Sequence, residues 1–143
     1  MIIKNVFGVL GPLLVLLAFL PVSAAAQNRD KAMIEEQLRR VMAKEAPLSE
    51  ADVKIYLENI KPIFRLSRNP ALQKETIAAI GRWSENRFAY VAVKMAVGMS
   101  MLIRPDDPRN AAAPDFAKPT AGEMELIRGY RDELLRAAES ASR

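Results

Sequence analysis

The segment from Glu85 to Ile103 limits what this chain can fold into more than any other part of the sequence. Between Ala89 and Ile103 its only charged side chain is Lys94. Apolar side chains at helical spacing form one face, and further apolar side chains populate the other sides: Phe88, Val91, Ala92, Met95, Met99 and Leu102, then Tyr90, Val93, Val97 and Met101. A helix that is apolar almost all round must be covered by other elements. The sequence therefore predicts a central helix with neighbours packed around it.

Capping signals divide the rest of the chain into further helices. Ser49 with Asp52, and Thr120 with Glu123, have the spacing of capping boxes, in which two side chains satisfy the free N–H groups of a first turn. Shorter signals mark other helix boundaries. Ser84 is an N-cap, Gly81 is typical of a helix end, and Asn69-Pro70 is typical of a helix start. No segment alternates apolar and polar residues as a strand does. We therefore predict an all-α fold, a small bundle of four to five helices.

A proline interrupts the second predicted helix. Its apolar residues recur at helical spacing from Val53 to Phe64, with Pro62 inside the pattern. Proline lacks an N–H and its ring clashes with the carbonyl four residues earlier. We expect a kink or break near Lys61 and an end to this segment by Asn69.

The first 26 residues have the pattern of a secretory signal peptide. Lys4 is their only charge, residues 6–20 are apolar apart from glycine and proline, and Ala24 and Ala26 fit the small-residue cleavage pattern. The sequence predicts cleavage near Ala26 and one helical domain over residues 27–143. It predicts a periplasmic or secreted protein with no membrane span after cleavage. Retention of the segment as an uncleaved anchor is the alternative.

Residues 104–119 contain four prolines, which exclude a long helix. We predict a Pro-rich loop here, unusually long for a compact domain. Its oxygen-bearing side chains, Asp106, Asp107, Asn110 and Asp115, are of the type that binds calcium, but their spacing matches no EF-hand. Aspartate beside proline is typical of turns. The prediction is turn chemistry and no metal site.

The absence of cysteine and histidine excludes most familiar enzyme mechanisms. Thiol and Ser-His-Asp nucleophiles, and the usual zinc ligands, need one or both of these residues. No Gly-rich phosphate loop is present either. We predict no catalytic residues and no cofactor, and hence a protein that is not an enzyme. An enzyme that uses carboxylates alone is the alternative, and the candidate acids all fall on helix faces or caps: Glu35, Glu36, Glu50, Asp52 and Glu58.

Two groups of residues are candidates for contact with a partner. On a straight helix, Lys54, Lys61, Arg65 and Arg68 lie within about 60° of one another beside the apolar face. This arrangement favours an anionic surface, although a solvated helix edge interrupted by Glu58 has the same pattern.

The second group surrounds a helix start and consists of Arg82, Trp83, Arg87 and Tyr90. These residue types are enriched at interaction hot spots, and they serve equally as a helix staple and core edge. Without Lys4 the charge is only 20 − 17 = +3, so we predict no nucleic-acid binding. The sequence thus predicts a non-catalytic binding module. Its partner is another envelope protein or, in the alternative, an anionic envelope lipid.

Overall fold

The computed structural model describes the backbone of residues 24–143 and the side chains from Lys31 onward. This part contains eight α-helices, two 3-10 turns and no strand. The helices are α1 (Ala24–Lys44), α2 (Glu50–Glu58), α3 (Ile60–Arg65), α4 (Gln73–Ile80), α5 (Glu85–Ile103), α6 (Pro108–Ala112), α7 (Ala121–Gly129) and α8 (Arg131–Ala141), and the 3-10 turns are Pro70–Leu72 and Asp115–Ala117. The all-α prediction is confirmed, with a finer division than four to five helices. Most of the predicted signal peptide, residues 1–23, lies outside the described residues.

Helix α5 occupies the centre of the core. Val91 and Met95 are fully buried, and Phe88 and Met99 are nearly so. Helices α1, α6 and α7 pack against α5, while α8 packs against α2 and α3. The apolar faces of the central helix are therefore covered within one chain. No helix in the described part is long and apolar enough to cross a bilayer.

The second predicted helix is divided at Asn59, between α2 and α3. The carbonyl that would bond a residue at position 62 belongs to Glu58, where α2 ends, and Pro62 cannot donate to it. The Asn59 side-chain amide instead donates to the Ile55 carbonyl at 2.8 Å. The expected break is confirmed, two residues before Lys61. The break separates Lys54, on α2, from Lys61, on α3.

The predicted helix caps are present. Both capping boxes form, at Ser49 with Asp52 and at Thr120 with Glu123. Ser84 accepts a hydrogen bond from the Arg87 N–H at the start of α5. Gly81 ends α4 with a φ of 65°, a conformation that glycine adopts without steric cost. Local sequence therefore determined where these helices begin and end.

Residues 104–119 contain two short helical elements, α6 and the 3-10 turn at Asp115–Ala117. The Asp107 side chain caps α6 by accepting from the Arg109 N–H at 2.9 Å. Hydrogen bonds from Arg109 lower the pKa of Asp107 to about 2. Asn110 joins this segment to the bundle, since its side chain accepts from the Ser100 hydroxyl at 2.7 Å. These acidic and amide groups are used for turn and cap contacts.

The core contains one polar atom whose burial is costly. The Tyr56 hydroxyl is buried and makes no hydrogen bond within the described part of the chain. A buried hydroxyl without a partner costs about 1–3 kcal/mol. We expect Tyr56→Phe, which removes only this oxygen, to raise the free energy of unfolding by about 1 kcal/mol. Urea denaturation measures the change, and a loss of stability would show that the hydroxyl has a partner, such as a bound water.

Candidate functional site

A polar stripe runs along one side of the apolar helix α5. It consists of Arg87, Tyr90 and Lys94, which lie three and then four residues apart and so share one helical face. Each of them contacts the acidic residue of a capping box, Asp52 in α2 or Glu123 in α7. The two capping boxes, distant in sequence, are therefore brought to the same face of the central helix.

At one end of the stripe, Arg87 joins α5 to the connection between α1 and α2. Its guanidinium forms an ion pair with the Asp52 carboxylate and donates to the carbonyls of Ala46 and Pro47. The Trp83 indole N–H donates to the other oxygen of Asp52 at 3.1 Å. Because Asp52 also accepts from the Ser49 N–H, one carboxylate fixes a helix start and a tertiary contact together.

At the other end, Glu123 is the centre of a second group of contacts. Its side chain is 2 % exposed and accepts from the Tyr90 hydroxyl at 2.7 Å and from the Leu48 N–H at 2.8 Å. Its second oxygen accepts from the Thr120 N–H at 3.0 Å and lies 3.6 Å from the Lys94 ammonium. Lys94 also donates to the Lys118 carbonyl at 2.7 Å, so the buried cation has two oxygen partners.

The electrostatics of this network favour ionised acids. Burial by itself would raise the pKa of Asp52 and Glu123, but the hydrogen bonds that they accept outweigh it and lower both pKa values. Burial, and then the bond to Glu123, raise the pKa of Tyr90, which therefore stays protonated as a donor. These groups are paired with one another within the core. The arrangement joins α2, α5 and α7 through paired polar side chains.

Three of the four residues predicted around the start of α5 thus lie in this network. Trp83 and Tyr90 are buried, and the Arg87 side chain is 17 % exposed. Arg82 points elsewhere and pairs with Glu58 at 3.4 Å, where both side chains are exposed. The sequence interpretation did not include Asp52, Glu123 and Lys94 in this group. Two sequence features could have identified these three residues. Asp52 and Glu123 are the acids of the two capping boxes, and Lys94 is the only charge between Ala89 and Ile103.

The other predicted group lies on the surface, and the break at Asn59 divides it. Lys61, Arg65 and Arg68 belong to α3 and the turn that follows, and we call them the basic segment. All three are exposed, and none forms an ion pair with another described residue. Lys54 lies apart on α2, paired with Glu50 at 3.4 Å. The basic segment is thus a group of exposed cations without anionic partners in the described part of the chain.

An open depression of about 450 Å³ lies at the end of α5. It is lined by Ile103, Arg104, Pro105, Asp106, Asp107 and Pro108. The Asp107 carboxylate accepts a hydrogen bond from the Arg109 guanidinium at 2.8 Å. Among the described residues, no three acidic side chains converge in a way that would hold a metal ion.

Comparisons of the chain with protein-family models, with curated proteins and with solved structures gave no match. Inference about function therefore rests on the geometry of the chain itself. Two features stand out from an otherwise apolar bundle: the buried network around the polar stripe, and the exposed basic segment. The groups of the first are paired with one another, whereas the cations of the second have no ion-pair partner among the described residues.

Proposed function

We propose that this chain is an exported, non-catalytic binding protein that uses its basic segment to contact an anionic surface. The observation that supports the proposal is the exposure of Lys61, Arg65 and Arg68 without any ion pair to the described residues. Elsewhere many exposed cations are paired, as in Arg39 and Arg40 with Glu36. The basic segment differs in grouping three cations, unpaired among the described residues, within one short stretch of the chain.

The position of these cations has a cost that a partner would remove. Lys61 and Arg65 are four residues apart on α3, and like charges at this spacing destabilise a helix by about 0.2–0.5 kcal/mol. The opposite side of α3 is fixed in the core by Ile60, Ile63 and Phe64. The fold therefore holds repelling charges on a firmly packed element. An anion bound between them would offset the repulsion.

Export is the second part of the proposal, and its support is the pattern of residues 1–26. An apolar segment after a single basic residue, followed by Ala24 and Ala26, is typical of secretory signals. Cleavage after Ala26 would leave every buried residue of the described core in place, since the first of these is Met42. Mass spectrometry of the exported protein is expected to show an N-terminus at Gln27. Detection of only the uncleaved chain would support the anchor alternative.

Charge reversal tests the binding part of the proposal. The variant has Lys61, Arg65 and Arg68 each replaced by Glu, and binding is measured to vesicles of phosphatidylglycerol and phosphatidylcholine and to beads coated with polyglutamate. Each cation near an anionic surface contributes about 1 kcal/mol. We therefore expect the variant to bind at least about 100-fold more weakly to whichever surface the native chain prefers.

A matched control separates this segment from net charge. Lys31, Lys44 and Arg128 are exposed, form no ion pair with the described residues and lie on α1 and α7. Replacing all three by Glu changes the net charge by the same amount, so long-range attraction falls equally. Binding close to that of the native chain is expected for this control. Equal losses in both variants, or native binding by the basic-segment variant, would reject the proposal.

A further inference from the structure

We infer that the anionic surface is the headgroup layer of a phospholipid bilayer, and that the basic segment contacts it through charge alone, with no side chain inserted. This inference rests on the proposed function and specifies its partner. It concerns the surface formed by α3 and the turn through residue 69.

The apolar residues of this surface are already used in the core. Ile60, Ile63, Phe64 and Leu66 are between 4 % and 7 % exposed. A helix that lies in the membrane interface buries an exposed apolar face among the acyl chains. The basic segment has no such face to offer, so its contact with a bilayer would be limited to the headgroups.

The same observation argues against an acidic protein as the partner. Protein interfaces have an apolar core in which buried aromatic and aliphatic residues provide most of the binding energy. The one large apolar side chain that is strongly exposed in the described part is Met33, at 62 %, and it lies on α1. A surface with cations and no apolar anchor suits a dense, mobile layer of phosphates better than a folded protein.

The neighbouring acid does not cancel the basic segment. Glu58 precedes Lys61 by three residues, and its carboxylate is paired with Arg82 at 3.4 Å. Arg82 thus neutralises the acid at this end of the segment. At the other end, the Arg68 N–H donates to the Arg65 carbonyl at 3.0 Å, which continues the helical path and keeps Arg68 close to Arg65. Three adjacent cations therefore face solvent as one positively charged area.

Vesicle binding with a local reporter tests this inference. The chain has no cysteine, so Asn69→Cys gives a single labelling position on an exposed residue beside Arg68. The exported chain is labelled there with an environment-sensitive fluorophore and mixed with phosphatidylglycerol vesicles whose acyl chains bear bromine quenchers. Binding is expected at low salt and should weaken steeply as the ionic strength rises, because exposed charges are screened within a Debye length. The fluorophore should show no quenching by the brominated chains.

Each other outcome has a definite meaning. Quenching by the brominated chains, or binding that persists in high salt, would overturn contact through charge alone. Binding to polyglutamate beads without binding to vesicles would overturn the lipid partner and leave the proposed function intact. Equal binding by the native chain and the basic-segment variant would overturn the inference and the proposed function together. Circular dichroism of every variant establishes that it has kept its helical fold.

Discussion

Replacement of Glu123 by Ala is expected to lower the free energy of unfolding by about 3–5 kcal/mol. The change removes a carboxylate that is 2 % exposed and leaves the Lys94 ammonium buried beside the position it occupied. The Tyr90 hydroxyl and the Leu48 N–H lose the acceptor that lies 2.7 and 2.8 Å from them. A buried charge without its partner costs far more than the pair contributes. Urea denaturation followed by circular dichroism measures the loss.

A companion variant distinguishes the ion pair from simple packing. In Lys94→Met the cation is replaced by an apolar side chain of similar length, so adding this change to Glu123→Ala should cost less than the sum of the two single losses. The acid sensitivity of the native chain supplies a second check. Because the pKa of Glu123 is lowered from 4.5, its stabilising effect is complete above that pH and is lost as the pH falls through the folded value. A Glu123→Ala loss below about 1 kcal/mol would contradict the assigned contacts.

Gly98→Ala is expected to destabilise the chain by about 2 kcal/mol, although alanine is the better helix former. A Cβ atom at position 98 would lie 2.4 Å from the Ile127 Cδ1 atom and 3.2 Å from the Pro119 Cγ atom. Ile127 is fully buried, so its Cδ1 atom can move aside only among other core side chains. Overcrowding of this kind costs about 1–3 kcal/mol, which exceeds the gain in helix propensity. Thermal and urea unfolding provide the measurement.

Two further variants make this prediction specific. Ile127→Val removes the Cδ1 atom that the new methyl group would meet, so it should restore much of the stability lost in Gly98→Ala. Gly122→Ala is the matched control, because a Cβ atom there has no heavy atom within 4 Å. We expect that control to be neutral or to gain up to about 1 kcal/mol. If Gly98→Ala and Gly122→Ala had the same effect, the close approach of α5 and α7 would be disproved.

Local chemistry explains which parts of the fold were predictable. Capping boxes at Ser49 and Thr120 involve residues within one helical turn, so their presence follows from sequence spacing. The break before Pro62 likewise follows from a missing N–H. The division between α7 and α8 at Tyr130 was not predicted. It coincides with a tertiary contact, in which the Tyr130 hydroxyl donates to Glu50, eighty residues earlier.

The candidate sites also depend on contacts between residues that are distant in sequence. The helical projection grouped Lys54 with the basic segment because it assumed one straight helix, whereas the break at Asn59 separates them. The types of residue at Trp83, Arg87 and Tyr90 suit an interface or a core equally well. Arg87 and Trp83 make their polar contacts within the fold because the Asp52 carboxylate lies beside them. Sequence spacing contains no information about a carboxylate more than thirty residues away.

The bond from the Leu48 N–H to Glu123 has a consequence for how the chain folds. These residues are 75 positions apart, and the acid arrives after the whole of α5 has been synthesised. Until then Tyr90 and Lys94 lack the carboxylate that satisfies them, so the polar stripe opposes burial of the central helix. A growing chain would thus remain open until α7 is present and then close cooperatively. Delayed closure of this kind would serve the export that we propose above, in which the polypeptide crosses a membrane unfolded.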